Sequence, residues 1–252
     1  MTNTSSPVVP AAARSDLVPT GTLRAGINLS NTLLSTRDPA SGEVRGVAVD
    51  FAQELGRRLA VPVEIVTYGS PGEMSDAVTS GLWDVAFLAA EPARAVTIAF
   101  TAAYAEIEAT YLVPGDSSIQ DIADVDREGM RVAVAARSAY DLYLTRNVLR
   151  ARLIRAEGQE GTLKMFVDER LDALSGLRPM LTGFAARLPG SRVLVGRFTA
   201  IQQAIGMPAG REAGAAYLCA FVEDVKRSGL VAELIARHHV RGLWPAPLAA
   251  SR

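Results

Sequence analysis

Arg94, Arg137 and Arg178 each stand just past an apolar run, where a buried strand gives way to a loop. Loops outside the carboxyl ends of parallel strands are where open α/β sheets bind ligands. A guanidinium placed there can grip a carboxylate with two parallel hydrogen bonds. Arg94 follows the run Val85–Leu88 and is itself followed by Phe100-Thr101, Tyr104 and a second apolar run, Thr110–Val113. Arg137 leads Ser138 into a strand-to-helix turn, where free backbone N–H groups and the helix dipole favour an anion. Arg178 lies beyond Gly176-Leu177 at the start of a helix. A buried guanidinium without a counter-charge is strongly unfavourable, so three of them lining one cleft predict an anionic ligand, a small carboxylate.

Other reactive groups point less clearly to chemistry. Glu91, Glu106 and Glu108 flank the Arg94 loop, and strand alternation places Glu106 and Glu108 on one face. The expectation is that they are outward or salt-bridged; general acid or base work is the alternative. His238 and His239 are adjacent on a helix and so diverge, which makes a poor metal pair. Cys219 is the single cysteine, which excludes an internal disulfide, and its neighbours Leu218, Phe221 and Val222 suggest a packed helical position. No phosphate loop, nucleophile elbow, dinucleotide fingerprint or Cys/His cluster is present, so neither cofactor nor metal is expected. A net charge of −1 argues against a nucleic-acid surface.

The elements that must position these residues alternate strand and helix, the pattern of parallel sheets covered by helices. Phe51, Leu55 and Leu59 predict a helix over 50–60 with Asp50 as its cap. A strand over 62–67 follows, then a helix opened by Ser70-Pro71-Gly72-Glu73, a capping box with proline in the first turn. Further on, strands are predicted over 131–135, 153–155, 171–175, 192–195 and 200–207, with helices after Ser138, over 163–170 and after Pro179. Residues 1–20 are rich in Ser, Thr, Pro and Ala and broken by Pro7 and Pro10, which reads as a disordered leader, not a signal peptide. As written, that leader places the protein in the cytoplasm; a trimmed signal would place it in the periplasm.

Several segments resemble the type II periplasmic binding proteins of the polar amino-acid family, the bacterial extracellular solute-binding proteins of family 3. Gly46-Val47-Ala48-Val49-Asp50-Phe51-Ala52-Gln53-Glu54-Leu55 is similar to that family's helix signature, and Glu91 to Tyr104 to its Glu-Arg, Phe-Thr, Tyr stretch. Leu23–Gly26, Gly129–Val134 and the run 215–240, with its pattern Arg227–Leu234, resemble its first strand, the opening of its second lobe and its closing helix. The resemblance, over roughly residues 20–244, implies a two-lobed α/β fold, each lobe a mostly parallel sheet flanked by helices, with a two-stranded hinge near 111–115 and 204–208. Lobe one would be 21–112 plus 208–245, and lobe two 113–207. It implies a solute-binding protein without catalysis that closes on its ligand, with Arg94, Arg137, Ser138, Arg178, Asn31 and Tyr104 as contacts and the membrane subunits of an ABC transporter as possible partners. Two departures bear on the ligand. Leu177 falls where the family usually places an aspartate for the ligand's ammonium, and Asn31 where an aromatic often stacks. An anionic ligand, not an ordinary α-amino acid held in the usual way, is the resulting expectation. Alternatives on the same scaffold are a dehydratase of the cyclohexadienyl type, with Glu106 as acid, and a cytoplasmic effector-binding module.

Overall fold

The computed structural model describes residues 9–249. Two compact units are formed, one by the chain up to Ala105 with Gln203–Val240 and the stretch from Pro245, the other by Glu106–Gln202 with Arg241–Trp244. Residues 1–8 of the expected leader lie outside the described residues, but the rest of it is ordered. Helix α1 (Ala11–Leu17) buries Ala13 and Leu17, four residues apart. An alanine-rich turn has favourable helix propensity, and packing supplies what so short a helix lacks. Asp16 fixes it by accepting the Gly214 N–H (2.9 Å), and Arg14 donates to the Leu59 carbonyl.

The first unit is built around β1 (Leu23–Asn28). A small hairpin of β2 (Thr36–Arg37) and β3 (Val44–Arg45) follows, its turn held by Asp38, which accepts the N–H groups of Ala40 and Ser41 at 2.8 Å. Helix α2 (Val47–Leu59) begins three residues before the predicted start, so Asp50 lies in its first turn and the N-cap is Gly46. Its inward stripe of Phe51, Leu55 and Leu59 is fully buried, each side chain contributing about 1.5–3 kcal/mol of hydrophobic stabilisation. Then come β4 (Val63–Tyr68), α3 (Pro71–Asp76), β5 (Val85–Ala89) and β6 (Ile98–Phe100). Only half of the capping box before α3 forms: Ser70 Oγ accepts the Glu73 N–H (3.1 Å), while the Glu73 carboxylate reaches one residue past the cap to the Gly69 N–H (2.9 Å).

The ten-residue strand β7 (Ala105–Pro114) leads into the second unit. The chain passes from the first unit to the second between Ala105 and Glu106, at the start of this strand, and Pro114 is its last residue. There follow β8 (Arg131–Ala135), α4 (Ala139–Asn147), β9 (Arg152–Ala156), α5 (Gly158–Asp168), β10 (Ala173–Leu177), α6 (Arg178–Arg187) and β11 (Ser191–Val193). Strand β10 sits two residues later than predicted: Leu171 N–H still closes α5 on Phe166, and Asp172 spends its carboxylate on the Arg131 N–H (2.7 Å). A core of Leu112, Leu163, Phe166, Leu174, Leu181 and Phe184 packs this unit.

Strand β12 (Thr199–Pro208) returns to the first unit, followed by α7 (Glu212–Arg227) and α8 (Leu230–Arg237). The predicted single closing helix is broken at Gly229, whose φ of +82° no helix interior adopts. A last strand, β13 (Leu243–Pro245), pairs with β7. Strand order is β4-β1-β5-β12-β7-β10-β8-β9, with the crossing strands β12 and β7 adjacent. Within it the trios β4-β1-β5 and β9-β8-β10 are parallel, while β12 on β5 and β7 on β10 are antiparallel.

Candidate functional site

Each parallel trio has the same topology. In the first unit the chain runs β1, β4, β5, yet β1 lies between the other two. In the second it runs β8, β9, β10 with β8 in the middle. Connections therefore leave the central strand in opposite directions, and the carboxyl ends of β1 with β5, and of β8 with β10, are switch points where open sheets bind ligands. Asn31, Arg94, Arg137, Ser138 and Arg178 lie on those four loops, whereas Tyr104 lies between β6 and β7.

In the first unit Asn28 ends β1, and its Oδ1 accepts both the N–H and the hydroxyl of Ser30 (3.0 and 2.8 Å). Asn31, partly exposed, folds the next turn by accepting the Leu34 and Ser35 N–H groups on its carbonyl (3.0 and 3.2 Å). Beyond β5 the turn is closed by Arg94 and Ala95 N–H groups donating to the Glu91 carbonyl (2.9 and 3.0 Å). Arg94 is only 4% exposed, and its Nη1 donates to the carbonyl of Ala89 (2.9 Å), the last residue of β5. The guanidinium is thus tied to the strand end it was expected to decorate. Tyr104 is fully buried in this unit's core, its ring 4.9 Å from that of Phe51. Burial pushes its phenol well above the usual range, and its hydroxyl has no hydrogen-bond partner. It packs the lobe and does not stand on an open loop.

In the second unit Arg137 is exposed and adopts a left-handed φ of +59°, and Ser138 is the N-cap of α4, accepting the Asp141 N–H (3.1 Å). Asp141 returns the favour by accepting the Arg137 N–H (2.8 Å). At the other strand end Leu177 is buried and Arg178 opens α6. Arg178 Nε donates to Glu108 (2.6 Å), Nη1 to the Leu194 carbonyl (3.1 Å) and Nη2 to the Gly196 carbonyl. Arg197 lies 3.7 Å from the same carboxylate, and Glu106 accepts from Gln202 (3.0 Å). Glu108 is salt-bridged and Glu106 hydrogen-bonded, which leaves little of the acid role considered for them.

Elsewhere His238 pairs with Asp50 (2.9 Å), and among the described residues no cluster of three metal-ligating side chains occurs. Cys219 is exposed, against the packed position expected of it, because Leu218, Phe221, Val222 and Val225 already form the inward stripe of α7. Partial burial and nearby Glu223 push its thiol pKa up. Sequence reasoning missed Asp141 and Arg155 as parts of the second unit's corner. Ser138-x-x-Asp141 was legible as a helix start, but nothing local announced Arg155, which reaches Asp141 from β9 (Nε to Oδ1 3.0 Å).

Residues 23–240 match the model of the bacterial extracellular solute-binding proteins, family 3, and the chain belongs to that family. Its members are solute-binding proteins, and the non-catalytic reading follows from that. The fold is the two-lobed type II arrangement seen in solved structures. An amino-acid ABC transporter substrate-binding protein from Streptococcus pneumoniae, bound to L-arginine, is 16% identical with a TM-score of 0.72, covering 89% of this chain and 98% of its own. A binding component of an ABC transporter from Wolinella succinogenes, complexed with lysine, is 18% identical with a TM-score of 0.74, covering 88% and 97%. An ancestral amino-acid-binding protein, a precursor of cyclohexadienyl dehydratase, is 21% identical with a TM-score of 0.73, covering 90% and 99%. No curated protein matches the sequence. The expectation of an anionic ligand is corrected by the first two of these structures, whose bound ligands are L-arginine and lysine, both cationic. Its physical premise also fails, since Glu108 already answers Arg178.

Proposed function

We propose that the protein binds a small amino acid with a basic side chain, as the ligand-receiving component of an ABC importer. The reading rests on Arg94. A nearly buried guanidinium at the switch point of the first unit suits one carboxylate, gripped by a charge-assisted pair. Arg178 is paired with Glu108, so it calls for no anionic group on the ligand. An α-amino acid supplies one carboxylate, and the arginine and lysine held by relatives of this fold point to the side-chain class. Leu177 offers the ligand's ammonium no counter-charge, so that group is met by neutral acceptors or by a carboxylate from another loop.

A thermal-shift panel tests the reading. Ligand at about a hundredfold above Kd stabilises the native state by about 2.7 kcal/mol, a clear rise in Tm. The expected result is a rise with L-arginine or L-lysine and none with succinate or L-glutamate. A rise confined to the dicarboxylates would refute it.

A further inference from the structure

The corner that carries Arg137 and Ser138 is a costly piece of backbone. Arg137 has a β-carbon and yet sits at φ +59°, a conformation that is strained outside glycine and persists only where neighbours over-determine it. Those neighbours can be named. Asp141, 4% exposed, accepts the Arg137 N–H on Oδ2 (2.8 Å), while its own N–H is taken by Ser138 Oγ (3.1 Å). The other oxygen, Oδ1, accepts from Arg155 Nε (3.0 Å), while the Thr145 hydroxyl donates to the Asp141 carbonyl (2.8 Å). Arg155 also donates through Nη2 to Thr145 Oγ1 (2.8 Å), so its guanidinium is held at two points. It belongs to β9, where it is in register with Val134 of β8, the strand that runs into the corner.

We infer that Asp141, oriented by Arg155, is the positioning residue that fixes the Arg137–Ser138 corner in the shape in which it meets the ligand. The inference rests on the proposed function for its ligand-binding consequence, but not for the corner's order. A carboxylate is required because both of its oxygens face donors. An amide would turn one of its own N–H groups toward Arg137 N–H or toward Arg155, losing one contact and adding a donor–donor clash. The chemistry also needs the cation on β9: a buried carboxylate without one is poorly compensated. Arg155 is part-exposed and distant in sequence, so changing it alters neither the corner's own residues nor a proposed ligand contact.

The experiment uses the full chain with Arg155→Leu, Arg155→Lys and Asp141→Asn, and reads amide hydrogen exchange residue by residue. In Arg155→Leu the Arg137 and Asp141 amides are expected to exchange at least about tenfold faster while the β8 amides keep their protection, the pattern of local opening. Arg155→Lys, which keeps a cation on Oδ1, is expected to stay close to the unaltered chain. Unchanged exchange, or an equal rise throughout the second unit, overturns the inference. Affinity is measured well below Tm, where every variant is folded and a merely stabilising contact leaves Kd alone. There Arg155→Leu and Asp141→Asn are expected to weaken whichever amino acid binds the unaltered chain by about tenfold. Faster exchange with unchanged affinity overturns the positioning role. If the unaltered chain binds no amino acid in the panel, the proposed function fails, and the exchange data still decide whether Asp141 and Arg155 hold the corner.

Discussion

Glu108 decides what Arg178 is for. A guanidinium that donates to one carboxylate and two carbonyls is a brace between α6 and the Leu194–Gly196 loop, with little left for a ligand. Charge-assisted hydrogen bonds contribute about 1.5–3 kcal/mol when well shielded, and both partners here are roughly one-third exposed. Arg178→Ala is therefore expected to lower stability by about 1 kcal/mol, read from denaturant midpoints at constant slope, and to leave ligand affinity within about twofold. A loss of affinity beyond tenfold with unchanged stability would return Arg178 to the site. All three arginines were legible in the sequence as loop residues past strand ends. The partner of Arg178 was not, because Glu108, seventy positions away, is brought in by tertiary structure alone, as is Arg155, which reaches Asp141 from another element. Tyr104 shows the same limit: its place after Phe100-Thr101 was plain, but not the core of Phe51 and Phe87 around it.

Elements were more readable than partners, wherever a periodic apolar stripe or a capping box marked them. The α2 stripe and the box before α3 were both legible; the helix α1 was not, since two buried residues in a short segment make no period. Glycines set two of the element ends, with different costs. Gly229 separates α7 from α8 at φ +82° with open space around its Cα, so Gly229→Ala is expected to cost about 1–2 kcal/mol from backbone strain alone. Gly46 starts α2 at φ +138°, where an added β-carbon would strike the Leu34 carbonyl and the Ser35 Cα. Gly46→Ala should cost clearly more, and equal midpoints for the two variants would contradict this account. On α2 the side chains of Arg57 and Arg58 hold the Glu54 carboxyl down at about 2, chiefly through the Arg57 hydrogen bond. A folded pKa depressed below the unfolded value of 4.5 gives stability that is present above pH 4.5 and lost as pH falls towards 2. Glu54→Gln is thus expected to be destabilised by about 1 kcal/mol at pH 7, after allowance for exposure, and to match the unaltered chain near pH 2. A difference that persists unchanged at low pH would show that Glu54 acts by packing.

At the scale of the molecule, two units with the same central-strand topology each offer a switch point, and family membership assigns binding to such a chain. The alternation of strands and helices gave the fold class directly, whereas ligand charge was misread because it was inferred from arginines counted without their partners. The central claim is that a basic amino acid is held by its carboxylate at Arg94. Isothermal titration of L-arginine and L-lysine into the unaltered protein and into Arg94→Ala tests it, with Tm recorded for both because Arg94 also ties the end of β5. The account predicts saturable binding of at least one of the two by the unaltered chain, weakened by at least about tenfold in the folded variant. Equal affinity in the two proteins, or binding of dicarboxylates alone, would contradict it.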